Sequence, residues 1–419
     1  MTTLIYYEKK KLLKRKSTLI TCLLMVLCIF AISLVFISDQ FWFEEDGTEL
    51  SGVEAIRAER AAIQAQAGPL TQERLRDTLR HYHTIYGDSA NYNSAGALKD
   101  DVYLKEIMPY RRILNLLVWV CVSDGLTDVS GLTDVSALNN VTEEMAEGFY
   151  EIRRANVRGL LDAEGSGETF TQAEKDAALA LDQQVCEPFT YDYTSGWRTL
   201  LTRGFPLSFL LIALAVCVII SPVFSWEYQT GADAVVLSAK RGKSQAVLAK
   251  ITAGFLVTSQ IYALGVCTLL LCVLVPFGTG GWNCEFQLLS ETSFYGLKIW
   301  QVILSGIVIN YIVILSVMAF VMLLSAVCMT PFAAVIVSMF CTVVPMFFPA
   351  GSAGGLMNHI LALLPAKAME TYTVFSAYMF FPMGKTVVTL PYMILIAAIA
   401  LIVIALPFAH RRFCKHQVV

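Results

Sequence analysis

Few residues in this 419-residue chain have types and spacings that suit catalysis. His81-Tyr-His83 is the only histidine pair outside the long apolar runs. Residues i and i+2 of a helix do not face one another, so a metal there would need a distant third ligand. Gly242-Lys-Ser244 and Gly384-Lys-Thr386 end like a phosphate-cradling loop. Such a loop needs another Gly five residues earlier, where this chain has Leu237 and Met379. Neither His-Glu-x-x-His nor Gly-x-Ser-x-Gly occurs, so common hydrolase signatures are missing. The expectation is a protein with no catalytic site, no metal and no cofactor, which does not hydrolyse ATP itself.

The elements that would position any site are apolar. Hydrophobic residues make up 56% of the chain, charged residues only 16%, and mean hydropathy is +0.59. A soluble domain carries roughly 25% charged residues. A bilayer core about 30 Å thick needs roughly 20 apolar residues in a helix. Six runs meet that demand without Asp, Glu, Lys or Arg: Ser17–Ser38, Phe205–Phe224, Ile251–Pro276, Ile299–Val327, Phe332–Pro349 and Tyr392–Phe408. The fifth is short. A basic segment precedes the first run, but Phe36-Ile-Ser-Asp39 offers no small-residue cleavage site, so an uncleaved anchor is expected. Proton- and ion-coupled carriers place a titratable group at mid-membrane, and these runs hold none. Asn310 and Gln260 are the most polar residues available, as pathway residues or, more ordinarily, as helix–helix hydrogen bonds.

Charge gives the orientation. The N-terminal segment, the loop between runs two and three, and the C-terminal tail hold 13 basic and 3 acidic residues. Residues 39–203 hold 15 basic and 28 acidic. Basic excess marks the cytoplasmic side. Both termini and the loop are therefore expected inside, with the insert 39–203 outside, in three parts: 1–38, 39–203 and 204–419. Of eleven cysteines, only Cys121, Cys186 and Cys284 fall outside, and no spacing among them requires a Cys121–Cys186 bridge.

The insert reads as mostly helical. Residues 49–66 and 70–86 place apolar residues at three- and four-residue spacing, with Thr71 able to cap the second helix. Met145, Phe149, Ile152 and Leu160 mark one face of a helix after Asn140, and Thr171-Gln-Ala-Glu174 is a capping box. Ile113–Val122 is apolar but about ten residues long, which suits a core helix rather than a seventh span. Leu126-Thr-Asp-Val-Ser130 recurs as Leu132-Thr-Asp-Val-Ser136; two copies are too few for a solenoid, and a polar loop is expected.

Residues 225–250 are the most informative stretch. Phe224-Ser-Trp-Glu227 is followed by Gly231, then Val235-Val-Leu-Ser238, then Lys240, Arg241, Lys243 and Lys250. Trp226 and Tyr228 suit a membrane interface. This pattern resembles ABC-2 type transporter permeases, where a Phe-x-x-Glu ends the second span, Gly follows, and a short amphipathic helix precedes a basic turn. Ala232 and Ala239 depart from the Thr and Pro frequent in that family. The resemblance covers the six-span layout with a soluble insert after span one, as in bacterial export systems. It implies that Glu227, Tyr228, Gly231, Asp233, Leu237, Ser238, Lys240, Arg241, Lys243 and Lys250 form a loop docking on a separate cytoplasmic ATPase subunit. It also implies a second permease copy or paralogue, contact with membrane lipid, no nucleic acid, and short outer helices within Gly351–Thr389. The basic loop would equally suit anionic lipid. The rival reading is a membrane-anchored sensor or scaffold with the insert as its ligand-binding head. A membrane enzyme would need a catalytic constellation that this chain lacks, and its charge-free spans disfavour a secondary transporter.

Overall fold

A long apolar segment hides its amides from lipid only as a helix, and five segments do so in the computed structural model. It describes all residues except 95, 123–134, 163–168, 240–241, 349–354, 385 and 416–419. Lys16–Ser38, Ser195–Thr230, Gly242–Phe277, Ile299–Val327 and Leu390–Cys414 are long and apolar enough to cross a membrane. The chain is mostly helical with little sheet, a multi-pass membrane architecture in its length and composition. Ser195–Thr230 and Ile299–Val327 are central, with 67% and 61% of their most apolar stretch buried, against 22% for the first and last long helices. The outer helices turn apolar residues away from the protein: Leu19, Leu23, Leu27, Phe30 and Leu34 form one exposed face of the first.

The expected fifth run differs from the other five. It forms an α-helix over Pro331–Val343 and one 3-10 turn over Val344–Phe347. Pro345 lacks an amide hydrogen, which removes one bond of the α-helical ladder where the element tightens into the 3-10 turn. The combined element rises roughly 27 Å, just under the hydrocarbon thickness of about 30 Å.

The three basic segments meet at one end of the molecule. The N-terminal helix Thr2–Leu13 packs on the start of the third long helix through Glu8 and Lys250. Cys414 Sγ donates to the Lys243 carbonyl at 3.0 Å, and the Phe413 ring lies 4.9 Å from that of Phe224. The insert sits at the opposite end. Trp197 Nε1 donates to the Gly280 carbonyl at 2.7 Å, and Arg60 Nη1 to that of Phe277 at 3.4 Å.

The insert's helices run over Gly52–Gln64, Gln72–Gly87, Arg111–Cys121, Phe149–Asp162 and Gln172–Asp182. Arg111–Cys121 is the core helix anticipated from its length, burying Ile113, Leu114, Leu117 and Val118. Thr71 caps its helix by accepting from the Arg74 amide. The anticipated capping box is present, with Thr171 N and Oγ1 both donating to Glu174 Oε2, at 2.7 and 2.8 Å. Glu174→Ala is expected to cost about 1 kcal/mol and a few degrees of Tm, read by thermal unfolding of the full chain. No change would show that this helix end is held by packing alone.

The helix after Asn140 departs from its expected form. It breaks at Gly148 into Glu143–Glu147 and Phe149–Asp162, and the second part buries Phe149, Arg153, Val157 and Leu161 rather than Leu160. The buried row steps by four residues, which leaves Leu160 half-buried beside it. Cys121 and Cys186 are free thiols. The Leu126–Ser130 repeat and most of its second copy lie outside the described residues. Among the described residues, three short two-stranded antiparallel sheets occur, and Gly68↔Tyr191 with Pro69↔Thr190 ties the insert's beginning to its end. Beyond residue 354 the short helices Leu356–Ala362, Pro365–Ala368 and Thr371–Ser376 lead to a hairpin, Phe380–Met383 with Thr386–Thr389, that the sequence did not announce.

Candidate functional site

The stretch 225–250 is helical almost from its start. The second long helix continues to Thr230, past the end of its apolar run. Pro222 removes the amide that would bond the Val218 carbonyl, and the Ser221 hydroxyl takes that carbonyl at 3.2 Å. Ser325 of the fourth long helix then clamps the bend, its Oγ accepting from the amides of Phe224 at 3.0 Å and Ser225 at 3.1 Å. Ser325 was not singled out beforehand. A serine inside an apolar run gives no hint of which bend it faces.

Gly231 ends this helix with φ +70°, ψ 6°, a left-handed conformation that Cβ disfavours. The chain turns there into the short helix Ala232–Ser238. Asp233 and Leu237, four residues apart, are buried beneath it, and Val235 on the other side is 73% exposed. The apolar residues Val235 and Leu237 thus lie on two different faces. Ser238 is exposed and donates to the Val235 carbonyl at 3.1 Å. Lys240 and Arg241 lie outside the described residues, and Lys243 is exposed. Gly242, which attracted notice for its Gly-Lys-Ser triplet, has a packing reason to be glycine: a Cβ there would overlap the Val236 carbonyl.

Glu227 points inward. Its side chain is 3% exposed and its Oε1 is bound by Lys250 Nζ and, at 3.3 Å, by Lys11 Nζ. Lys250 is equally buried and donates at 3.2 Å to both carboxylate oxygens of Glu8. Two acids and two bases form a neutral quartet joining the N-terminal helix, the end of the second long helix and the start of the third. Such a cluster is tolerated out of water only because each charge faces an opposite one. Glu8 and Lys11 had not been singled out. The available signal was Glu8, the one acid among six basic residues, three positions from Lys11 on a helix.

The aromatic residues complete this end. Tyr228 Oη donates to the Ala326 carbonyl at 3.3 Å, and its ring lies 5.7 Å from Phe413. The Arg15 guanidinium sits 5.0 Å from the Trp226 ring centre, a cation–π contact.

Asn310 and Gln260 are not brought together. Asn310 is fully buried, and its Nδ2 donates to the Gly306 carbonyl at 2.8 Å and to Thr371 Oγ1 at 3.0 Å. Gln260 is exposed on the third long helix. The polar links between the third and fourth long helices are instead Ser259 to Tyr311, 2.8 Å, and Tyr262 Oη to the Ile307 carbonyl, 2.6 Å. The two imidazoles of the insert go separate ways, His81 Nε2 to the Glu106 carbonyl at 3.2 Å and His83 Nε2 to that of Leu138 at 3.0 Å. Comparison of this chain with protein-family models, with curated proteins and with solved structures finds no match.

Proposed function

We propose that this chain is the membrane-spanning permease subunit of an ABC exporter in a bacterial cytoplasmic membrane. Two copies, or this chain with a paralogue, would form the pathway, driven by a separate pair of ATP-hydrolysing subunits. The observation that carries the reading is the short helix Ala232–Ser238. It presents Val235 outward while the quartet of Glu8, Lys11, Glu227 and Lys250 holds the elements behind it. In this reading, ATPase closure pushes on that helix, and the second and third long helices move with the N-terminal helix as one body between two discrete arrangements.

The end carrying the basic residues is the cytoplasmic one in this proposal, and the insert is outside. Parity supports a sixth crossing. The fourth long helix runs from the insert end, where the Ile299 amide donates to the Cys284 carbonyl, to the basic end at Ser325. The last long helix runs the same way, finishing at Phe413 beside Phe224. In this reading the chain crosses back between them through Pro331–Phe347, with modest local thinning of the bilayer.

The test is co-purification with the ATPase encoded nearby. Val235→Glu is expected to lower the ATPase recovered by roughly tenfold, as for loss of a well-packed interface anchor, with thermal stability within about 0.5 kcal/mol of the parent. A stable chain that recovers no ATPase, despite the right neighbouring genes, would overturn the permease reading in favour of a membrane sensor.

A further inference from the structure

A cavity of about 320 Å³ lies where the insert meets the ends of the long helices. It falls at the small end of the roughly 300–1,000 Å³ usual for ligand sites. Its walls come from the hairpin of Phe41–Phe43 with Glu49–Ser51 after the first long helix, from Gly52–Gln64, from Arg111–Cys121, and from the chain around Tyr191–Arg198.

The charges around it do not balance. Glu59 is taken by Arg112, through Nε at 3.1 Å and through Nη2, and Arg112 also donates to Ser195 Oγ at 2.7 Å. Asp192 is taken by backbone amides, Tyr193 at 2.7 Å and Gly281 at 3.0 Å. Both acids of the cavity are therefore engaged. Arg198 has only the Leu288 carbonyl, 3.1 Å from Nη2, and the Trp119 ring at 5.6 Å; its buried Nε has no partner. Arg111 makes no ion pair or hydrogen bond among the described residues. Two guanidinium groups thus line the cavity without a carboxylate within ion-pair distance, Glu291 and Glu59 acting on Arg198 only from farther away, in an insert whose acids outnumber its bases by 13. Two neutral groups are also unsatisfied, Asn115 Oδ1 and the Tyr191 hydroxyl. Burial pushes the Tyr191 phenol up to about 12, so it remains a donor at neutral pH. Buried polar groups without partners are costly, and a ligand carrying the complementary atoms would recover that cost. Trp42 and Trp119 add flat apolar surface beside them.

We propose that this cavity binds a small aromatic carboxylate as a free solute. Its carboxylate would lie on Arg111 and Arg198, whose planar forks match that geometry, and its ring beside the two indoles. The inference is independent of whether the chain transports anything.

The test uses the full chain in phosphatidylcholine nanodiscs, titrated calorimetrically with 2-naphthoate and with neutral 2-naphthamide. Naphthoate is expected to saturate one site per chain, and naphthamide to give no saturable binding. Arg111→Glu breaks no existing bond, so the fold survives it, and it is expected to weaken naphthoate roughly tenfold, about 1.4 kcal/mol. Arg198→Gln is expected to weaken it at least as much. Absence of saturable naphthoate binding, equal affinity for naphthamide, or unchanged affinity in Arg111→Glu would each overturn the proposal. Displacement of naphthoate by phosphatidylglycerol added to the bilayer would assign the site to a lipid headgroup and overturn it as well.

Discussion

Lys250→Met is expected to destabilise the protein by about 3–5 kcal/mol, because it leaves Glu227 buried with Lys11 as its remaining cation. One oxygen of Glu227, Oε2, already has no partner, so little is left to compensate the carboxylate. Glu227→Leu is expected to cost somewhat less, since Lys250 keeps both oxygens of Glu8. The double variant, with apolar groups in both buried positions, is expected to cost about as much as Lys250→Met alone rather than the sum of the two. Glu8 and Lys11 are partly exposed and can be solvated once their partners are gone. Thermal unfolding of the four proteins in nanodiscs gives the cycle, and an interaction energy of about 2–3 kcal/mol is expected for groups in direct contact. Additive single effects would refute the quartet. The same double variant should fold yet release the N-terminal helix, whose amides would exchange faster. That outcome would place the function of these charges in fastening Thr2–Leu13 to the second and third long helices rather than in stability alone.

The second large effect lies in the insert. Arg153 is fully buried, and two of its guanidinium nitrogens reach Asp182 Oδ1, Nη1 at 2.8 Å and Nη2 closer. The pair joins the helix Phe149–Asp162 to Gln172–Asp182. Arg153→Met is expected to cost about 3–5 kcal/mol at neutral pH by stranding the carboxylate. Burial already holds Asp182 above the usual carboxylate range, with Arg153 opposing, and removing the arginine pushes it further up. A raised folded-state value means that stability is present below the unfolded value and lost as pH rises through the folded one. The variant should therefore be nearer to the parent at about pH 4 than at pH 7. Limited proteolysis should cut it first within residues 140–190. Equal loss at both pH values would show that Asp182 is not the stranded group. Simultaneous cleavage of the long helices would show that the insert does not open by itself.

What could be read from the chain alone was local or one-dimensional. The capping box at Thr171 and Glu174 depends on residues three apart, and a hydrophobic run declares a helix by its length. The core role of Ile113–Val122 followed from a run too short to span a bilayer. Basic and acidic residues separate along the chain, and the structure gathers the three basic segments at one end. In the 225–250 stretch, Gly231 pointed to a place where the chain could turn, and the resemblance to a short helix after it; the left-handed φ is what the structure adds.

Tertiary structure decided everything that joins distant positions. Glu227 was noticed as part of a loop and proved to be the centre of a buried quartet whose other members lie 23, 216 and 219 positions away in the chain. Sequence gives no register between helices, so nothing announced that Lys250 and Lys11 would share one carboxylate oxygen. Leu161 displaced Leu160 because packing selected the four-residue row of Phe149, Arg153, Val157 and Leu161. Gly242 is glycine because a carbonyl from the preceding turn fills the space of its side chain, a contact that no spacing rule contains. Asn310 turned inward and Gln260 outward, though both are single amides in apolar runs, because the face a helix presents is set by its neighbours. The sequence by itself determined which segments are helices and which end is basic, since these follow from composition and short-range bonds. Which side chains meet was decided only by packing, because burial rewards any apolar face and the close fit of particular neighbours selects among them.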